Sequence, residues 1–218
     1  MDVIDYDSAS GYPRKRAQTR GRLVRAGMEV LSGSGPEGAT VGEIAQVAGV
    51  AAGTFYNHFP SMTDLVDAVC DELGTAVEID QAALSAIEHD PATRVAIGTL
   101  QLLDTADRDP VASAAFVALV ASRAAFRARV RSIVGGAIAD GAGTGRFDVR
   151  AGQAATNAVL GTTLQSMRSR VLGETDASVS GEVASLVLRI LGVPSTEIDE
   201  VVERAAASVS GRGELAEA

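Results

Sequence analysis

Four side chains that can form hydrogen bonds fall within residues 54–58, which read TFYNH. Hydroxyl, amide and imidazole groups of this kind can contact anionic oxygens or the polar edges of bases. The chain has only two histidines, His58 and His89, and one cysteine, Cys70, without the spacing of a nucleophile–base pair or a metal-ligand set. The cluster therefore indicates binding, and we expect no catalytic residue, no metal and no cofactor.

Short helices must position this cluster. Thr40 and Glu43 have the spacing of a capping box, so a helix is predicted to begin at Thr40. Gly49 suits the positive φ of a residue just past a helix end. A further helix of about two turns is predicted from Ala51 to Asn57, and Pro60 ends it. The segment is thus predicted to form two short helices joined by a glycine turn.

These two helices have the pattern of a helix-turn-helix. Ala45 is small where the helices must cross, and Val50 and Phe55 supply apolar contacts between them. The second helix keeps its other face free, and the end of such a helix fits the major groove of DNA. The residues therefore favour a DNA-binding head.

The wider segment at 40–65, TVGEIAQVAGVAAGTFYNHFPSMTDL, resembles the DNA-binding signature of the TetR (tetracycline-repressor-like) regulators. The matching pieces are T-x-x-x-I-A-x-x-A-G-V, then G-T-x-Y-x-H-F, then x-S-x-x-x-L. A first helix, predicted from about Arg16 to Leu31, extends the resemblance toward the N-terminus. It implies an all-α protein, with a three-helix DNA-binding head at 14–60 on a larger helical ligand-binding and dimerisation body at 61–210.

The resemblance also implies roles for individual residues. Thr40 would contact a phosphate through its hydroxyl and nearby N–H groups. Gly53 would let the backbone approach the groove wall, while Tyr56 and His58 would bind phosphates. Phe55 and Phe59 would be buried and would orient the short helix. The predicted DNA-binding set is Thr40, Ala51, Ala52, Gly53, Thr54, Tyr56, Asn57 and His58.

The chain departs from the family pattern in two places. Ala51 and Ala52 stand where the family often has serine and a polar or basic base-reading residue, and they could instead pack on thymine methyl groups. Pro60 and Met62 stand where lysines usually follow the H-F pair. We therefore expect weaker non-specific DNA binding than in lysine-rich relatives.

The charge distribution separates a basic head from an acidic body. The net charge is −9, but residues 14–60 hold six basic side chains against three acidic ones. Residues 61–218 hold 13 arginines against 22 acidic side chains. Residues 1–13 are small and turn-prone, so a disordered arm is expected there. Arg14, Lys15 and Arg16 could be a flexible arm that touches DNA, or only a solvated charge run.

Composition also bears on compartment. A single cysteine excludes an internal disulfide and fits a reducing compartment. There is no signal-like start and no apolar run of about 18 residues. We therefore predict a cytoplasmic protein without membrane association.

The body is predicted to be entirely helical, since no segment shows the alternation of a sheet. After a long helix that ends near Ile87, helices are predicted at 92–106, 111–122, 124–140, 148–172, 179–191 and 196–208. Helix 148–172 has two apolar faces and helix 179–191 a broad one, which predicts a homodimer formed by a four-helix bundle. An apolar or amphipathic small-molecule effector would bind between the middle helices, with candidate lining residues Leu103, Phe116, Phe126, Leu164 and Met167.

Together these features predict a ligand-responsive transcriptional regulator. It would be a repressor whose dimer binds a near-palindromic double-stranded operator and is released by a small molecule. Two alternatives stay open: an acidic helical interaction module without DNA binding, and a small-molecule enzyme on a helical scaffold. Because the chain lacks a catalytic set, no enzyme activity is expected.

Overall fold

Helices form all the regular structure in the computed structural model, which describes residues 11–149 and 152–216. Within those two ranges there is no β-strand, so the predicted all-α fold class is confirmed. A 3₁₀ turn, Ala177–Val179, precedes the ninth helix. The helices are α1 (Gly11–Gly38), α2 (Val41–Val47), α3 (Ala52–Tyr56), α4 (Met62–Ile87), α5 (Pro91–Arg108), α6 (Pro110–Ser122), α7 (Ala124–Gly143), α8 (Gln153–Val171), α9 (Ser180–Ile190) and α10 (Ser195–Ala216).

The chain divides into two compact units between Glu72 and Leu73, a point that lies within α4. In the first unit, α1, α2, α3 and the first part of α4 surround one apolar core. Gly27 permits α1 and α4 to approach closely, since a Cβ there would lie 3.1 Å from Cδ2 of Leu65. Buried members of this core include Leu23, Leu31, Ile44, Phe55, Phe59, Leu65 and Val69.

The first helix differs from the sequence expectation at both ends. It begins at Gly11 instead of near Arg16, so Arg14, Lys15 and Arg16 are exposed residues of a helix and not part of a flexible arm. At its other end, Gly35 has φ 66° and ψ 173° and interrupts the helix inside the predicted breaker segment 32–38. Of the arm predicted at 1–13, residues 1–10 lie outside the described residues.

In the second unit, α5 packs against α8, α9 and α10. Arg170 secures one end of this arrangement, because its buried guanidinium binds α5 and α9 from α8. Its Nη1 lies 2.5 Å from Oδ2 of Asp107, and its Nη2 donates to Oγ of Ser180 over 2.8 Å. The core holds apolar side chains from six helices and from the α7–α8 and α9–α10 connections, among them Leu84, Ile97, Leu100, Ile138, Phe147, Val159, Leu188, Leu191, Ile198 and Val201.

Helix α8 begins at Gln153, five residues later than predicted. Residues 144–149 form a packed part of the connection because Phe147 folds back onto α7, where its ring would clash with a Cβ at Gly141. The carbonyl oxygen of Asp148 likewise approaches Gly192, where it would lie 2.6 Å from an added Cβ. The contact of Asp148 with Gly192 joins distant parts of the chain, and helical periodicity does not predict it.

Among the described residues, no helix taken singly is both long and apolar enough to cross a membrane. The pair α6 and α7 satisfies the criteria of length and composition only when joined, and it is bent by 104°.

Candidate functional site

The turn before α3 is fixed by contacts with α1 and α2. The capping box is present: the Glu43 amide donates to Thr40 Oγ1 over 3.2 Å, and the Thr40 amide donates to Glu43 Oε2 over 3.0 Å. Gly49 has φ 64°, as predicted. The Arg22 guanidinium donates to the carbonyl oxygens of Ala48 and Gly49, the two residues that follow α2. A cation at this position also complements the dipole at the C-terminal end of the helix.

Buried rings determine which face of α3 is outward. Phe55 is fully buried and Phe59 nearly so, with their ring centroids 5.8 Å apart. The guanidinium of Arg20 lies 5.0 Å from the centre of the Phe59 ring, on the side of α1. Tyr56 meets Phe55 edge-on, yet 59% of its surface is exposed. The predicted orientation of the two phenylalanines is therefore confirmed.

Seven of the eight predicted DNA-binding residues lie together on α3 and its two ends. Five are exposed (Ala51, Ala52, Gly53, Tyr56 and Asn57), whereas Thr54 and His58 are partly buried. Thr40 is exposed too but caps α2, and its hydroxyl donates to Glu43 Oε2 over 2.8 Å. Its hydrogen-bonding groups are thus already paired with a carboxylate.

An open recess joins α3 to the start of α1. Lys15, Arg16 and Thr19 line one side of it, and Thr54, Asn57 and His58 line the other. Helical spacing on α1 places its three residues on neighbouring positions of one face. Thr19 has no signal in the sequence, because the pairing of this face with α3 depends on tertiary packing.

The basic residues of the head divide into two groups. Arg20 and Arg22 are engaged in structural contacts with Phe59 and with the α2 carboxyl end, and Arg25 also has an interaction partner. Arg14, Lys15 and Arg16 are exposed on α1. Cationic side chains available to phosphate therefore concentrate beside the recess.

A second candidate site is a cavity inside the second unit, with a volume of about 70 Å³. It lies between α4, α5, α6, α7 and α8. Its lining comprises Val77, Gln81, Val95, Gly98, Thr99, Leu102, Phe116, Val130, Ile133, Val134, Ala137, Ile138, Val159, Leu160, Thr163 and Leu164.

Of the five predicted effector-binding residues, Phe116 and Leu164 line this cavity. The other three are buried but lie outside its lining. Leu103 follows the lining residue Leu102, and successive helical side chains point about 100° apart. Phe126 packs edge-on behind Phe116, with ring centroids 5.4 Å apart, and Met167 belongs to the turn of α8 after Leu164. Helical periodicity identified buried residues, but it could not indicate which of them face the cavity.

An ion pair joins two walls of the cavity, α4 and α7. Arg129 binds Glu78 through two hydrogen bonds of 2.7 and 2.8 Å and also donates to Thr75 over 3.1 Å. Its guanidinium lies flat on Gly74, where a Cβ would come within 2.6 Å of Nη1. The hydrogen bond from Arg129 lowers the pKa of Glu78. This pair connects residues adjacent to the lining residues Val77 and Val130.

Family models match both parts of the chain. Residues 23–69 match the model of bacterial regulatory proteins of the tetR family, and residues 90–204 match that of the tetracyclin repressor-like C-terminal domain. The second match alone covers more than half of the chain. A comparison with curated protein sequences found no match.

Solved structures share the fold. RolR in complex with its ligand resorcinol is 26% identical, with a TM-score of 0.59 over 88% of this chain and 96% of RolR. A gamma-butyrolactone receptor (ArpA-like protein) is 19% identical, with a TM-score of 0.71 over 90% of this chain and 99% of the receptor. FadR from Bacillus subtilis in complex with stearoyl-CoA is 20% identical, with a TM-score of 0.61 over 77% of this chain and 96% of FadR.

Regulators of this family bind DNA as dimers, bind small molecules and are generally not enzymes. The two matched segments account for both the helix-turn-helix and the helical body described above. This chain belongs to the TetR family and is a ligand-responsive, DNA-binding transcriptional regulator.

Proposed function

We propose that this regulator is a repressor that binds a near-palindromic operator as a homodimer and leaves it when a small molecule occupies the body cavity. The observation that carries the proposal is the outward face of α3, where Tyr56 and Asn57 are exposed and Asn57 shares a recess with Lys15 and Arg16. A polar helix face beside cations suits duplex DNA, whose phosphates flank its grooves.

The amino end of α3 would enter the major groove. Ala51, Ala52 and Gly53 are exposed there, and their small size permits a close approach to base edges and thymine methyl groups. Tyr56 and His58 would bind phosphates, and Thr54 and Asn57 would also face the DNA. Sequence-specific hydrogen bonds would then be few.

Thr40 is proposed to contact a phosphate at the start of α2. Its hydroxyl and amide both pair with Glu43, so this contact requires the carboxylate to move. We therefore expect Thr40 to contribute less to affinity than Tyr56.

We propose that the dimer forms through α8 and α9. One stripe of α8, made of Ala154, Ala158 and Gly161, is exposed, while the opposite stripe is in the core. On α9, Leu186 is 49% exposed although the same helix buries Val183 and Val187. Small residues permit close helix packing, and an exposed leucine adds apolar area, as a four-helix bundle between two copies requires.

The effector would be a small apolar or amphipathic molecule held in the cavity. The ligands bound by RolR and FadR, resorcinol and stearoyl-CoA, differ greatly in size. A cavity of about 70 Å³ is closer in size to the smaller ligand, resorcinol. Val77 and Gln81 of the lining belong to α4, a helix that begins at Met62 in the first unit. A ligand that displaces α4 would therefore act on the head, with a coupling of about 1–3 kcal/mol.

We further propose that the functional parts are a head at 14–60 and a body at 61–210, and that the protein acts in the cytoplasm. The end of α3 at Tyr56 and the start of α4 at Met62 support a boundary near residue 60. The single cysteine, Cys70, is buried and supports a reducing compartment.

Selection of bound fragments from genomic DNA, followed by mobility shifts, tests this proposal. Tyr56→Ala should weaken binding to a selected fragment about tenfold or more, because it removes a contact to a charged phosphate. Ile87→Ala, at an exposed apolar position at the end of α4, is the control and should leave affinity unchanged. A folded dimer that retards no fragment at low salt would instead support the interaction-module alternative.

A further inference from the structure

The cavity lining is uncharged. None of its 16 residues is acidic or basic, and only Gln81, Thr99 and Thr163 have polar side chains. An ionised group placed among such residues would lose its hydration without gaining a counter-charge. The lining therefore selects against carboxylates, phosphates and ammonium groups.

Two of the three polar side chains are available to a ligand. The hydroxyl of Thr99 donates to the carbonyl oxygen of Val95 over 2.9 Å, an ordinary contact within a helix. Thr163 is 4% exposed to solvent, yet its hydroxyl has no hydrogen-bond partner among the described residues, and neither has the amide of Gln81. Since buried polar groups are normally paired, the hydroxyl of Thr163 has hydrogen-bonding capacity directed at an occupant of the cavity. Gln81 is half-buried at the cavity wall, and its amide is available to the same occupant.

The absence of a side chain at Gly98 leaves room for the Gln81 amide at the cavity wall. A Cβ at Gly98 would lie 2.8 Å from Nε2 of Gln81, so any larger residue on α5 would force the amide to move. Gln81 and Thr163 approach the cavity from different helices, α4 and α8. An amide and a hydroxyl can each donate and accept, so they can bind either an alcohol or a carbonyl group.

Size sets a second limit. The cavity volume of about 70 Å³ is smaller than the roughly 150 Å³ of a cavity that holds benzene. The occupant is therefore no larger than one ring with small substituents.

We propose that the effector is an uncharged molecule of about one ring, mostly hydrocarbon, whose hydroxyl or carbonyl group bonds to Gln81 and Thr163. This inference rests on the proposed function, since it names the ligand class of the same cavity. Gln81 gives the bond a special consequence, because α4 also supplies the first unit with Leu65 and Val69. The polar group of the ligand would thus form a hydrogen bond with α4, the helix that runs through both units.

Calorimetric titration of the full-length protein with three matched probes tests the ligand class. Toluene, p-cresol and 4-methylbenzoate share a methyl-substituted ring and differ in having no polar group, a hydroxyl or a carboxylate. We expect p-cresol to bind at least tenfold more tightly than either of the others. Equal binding of toluene and p-cresol, tightest binding of 4-methylbenzoate, or no binding of any probe would overturn the proposal.

Two variants test the named residues. Thr163→Val and Gln81→Leu should each reduce the preference for p-cresol over toluene about threefold or more without weakening toluene. Thr105→Val is the matched control, because Thr105 is exposed on α5 and its hydroxyl bonds only to the Gln101 carbonyl oxygen of its own helix. Variants that melt like the parent protein yet retain its preference would contradict the assignment.

Mobility shifts without any probe separate this inference from the proposed function. Retarded DNA with no selectivity among the probes would reject the ligand class alone. Selective binding of p-cresol by a protein that retards no DNA would reject the repressor and leave the ligand class supported.

Discussion

Single residues decide whether α3 is presented correctly, and Gly49 is the most constrained of them. Its φ of 64° lies in the region that disfavours a side chain, and a Cβ there would lie 2.9 Å from Nη2 of Arg22. Gly49 thus both forms the turn and leaves room for the guanidinium that binds the end of α2. A substitution would therefore strain the turn and also displace the Arg22 guanidinium.

We predict that Gly49→Ala lowers the free energy of unfolding by about 1–2 kcal/mol through backbone strain, and by about 1 kcal/mol more through the Arg22 hydrogen bonds. Gly173→Ala is a matched control, because Gly173 also follows a helix end, has φ 69° and has no described atom within 4 Å of its Cβ position. Denaturant unfolding followed by circular dichroism measures both variants. Equal losses would show that Arg22 contributes nothing to the turn.

The residues of this turn were predictable because their chemistry is local. Thr40 and Glu43 are three positions apart, and the positive φ of Gly49 follows from its place after a helix. Gln81 and Thr163 were not predictable, because neither stands out from other polar residues on amphipathic helices. Their importance arises only when α4 and α8 are packed around the same cavity.

At the scale of elements, Asp90 connects three parts of the body. Its carboxylate caps α5 through the amides of Ala92 and Thr93, and it accepts a hydrogen bond from Arg146 Nε over 2.7 Å. Arg146, in the connection between α7 and α8, also pairs with Glu197 of α10 over 2.8 Å. Burial alone would raise the pKa of Asp90, but the hydrogen bonds from Arg146 and Thr93 outweigh it, and the pKa is lowered.

A lowered pKa in the folded state means that the charged Asp90 stabilises the fold. The contribution is complete above the ordinary value of 3.8 and is lost as the pH falls through the lower value of the folded state. Asp90→Asn keeps a capping group but removes the charge, so it should be less stable than the parent at pH 7, by about 1 kcal/mol or less.

Thermal unfolding at several pH values measures this difference, which should shrink below pH 3.8 because the parent carboxyl also becomes neutral. Asp199→Asn, at an exposed position of α10, is the control and should show little difference at any pH. A difference for Asp90→Asn that is the same at pH 3 and pH 7 would contradict the electrostatic account.

Element boundaries followed from sequence where a local signal marks them. The end of α4 at Ile87 precedes Pro91, and Asp90 is a strong cap for the next helix. The start of α8 was misplaced because the contact of Phe147 with Gly141 has no local signal. The helices of the body were therefore predictable from the sequence, whereas the packed connection between α7 and α8 was not.

At the scale of the whole molecule, the distribution of charge matters more than its sum. The acidic body gives the chain a net charge of −9, which opposes binding to a polyanion. The exposed cations beside the recess are Arg14, Lys15 and Arg16, whereas Arg20 and Arg22, although also exposed, contact Phe59 and the end of α2. DNA binding should therefore depend on few phosphate contacts and on both heads of a dimer.

This arrangement predicts the salt dependence of DNA binding. Two heads, each with the three cations at the start of α1, would neutralise about six phosphates, so the logarithm of the affinity should fall with that of the salt concentration with a slope of roughly −5. Lys15→Gln should reduce the slope by about 2 in magnitude and weaken all sequences alike, because it removes one phosphate contact from each head. Arg204→Gln, in an exposed pair with Glu200 of the body, should leave the slope unchanged. A parent slope of about half the predicted value would mean that only one head docks, and an unchanged slope in Lys15→Gln would exclude the start of α1 from the interface.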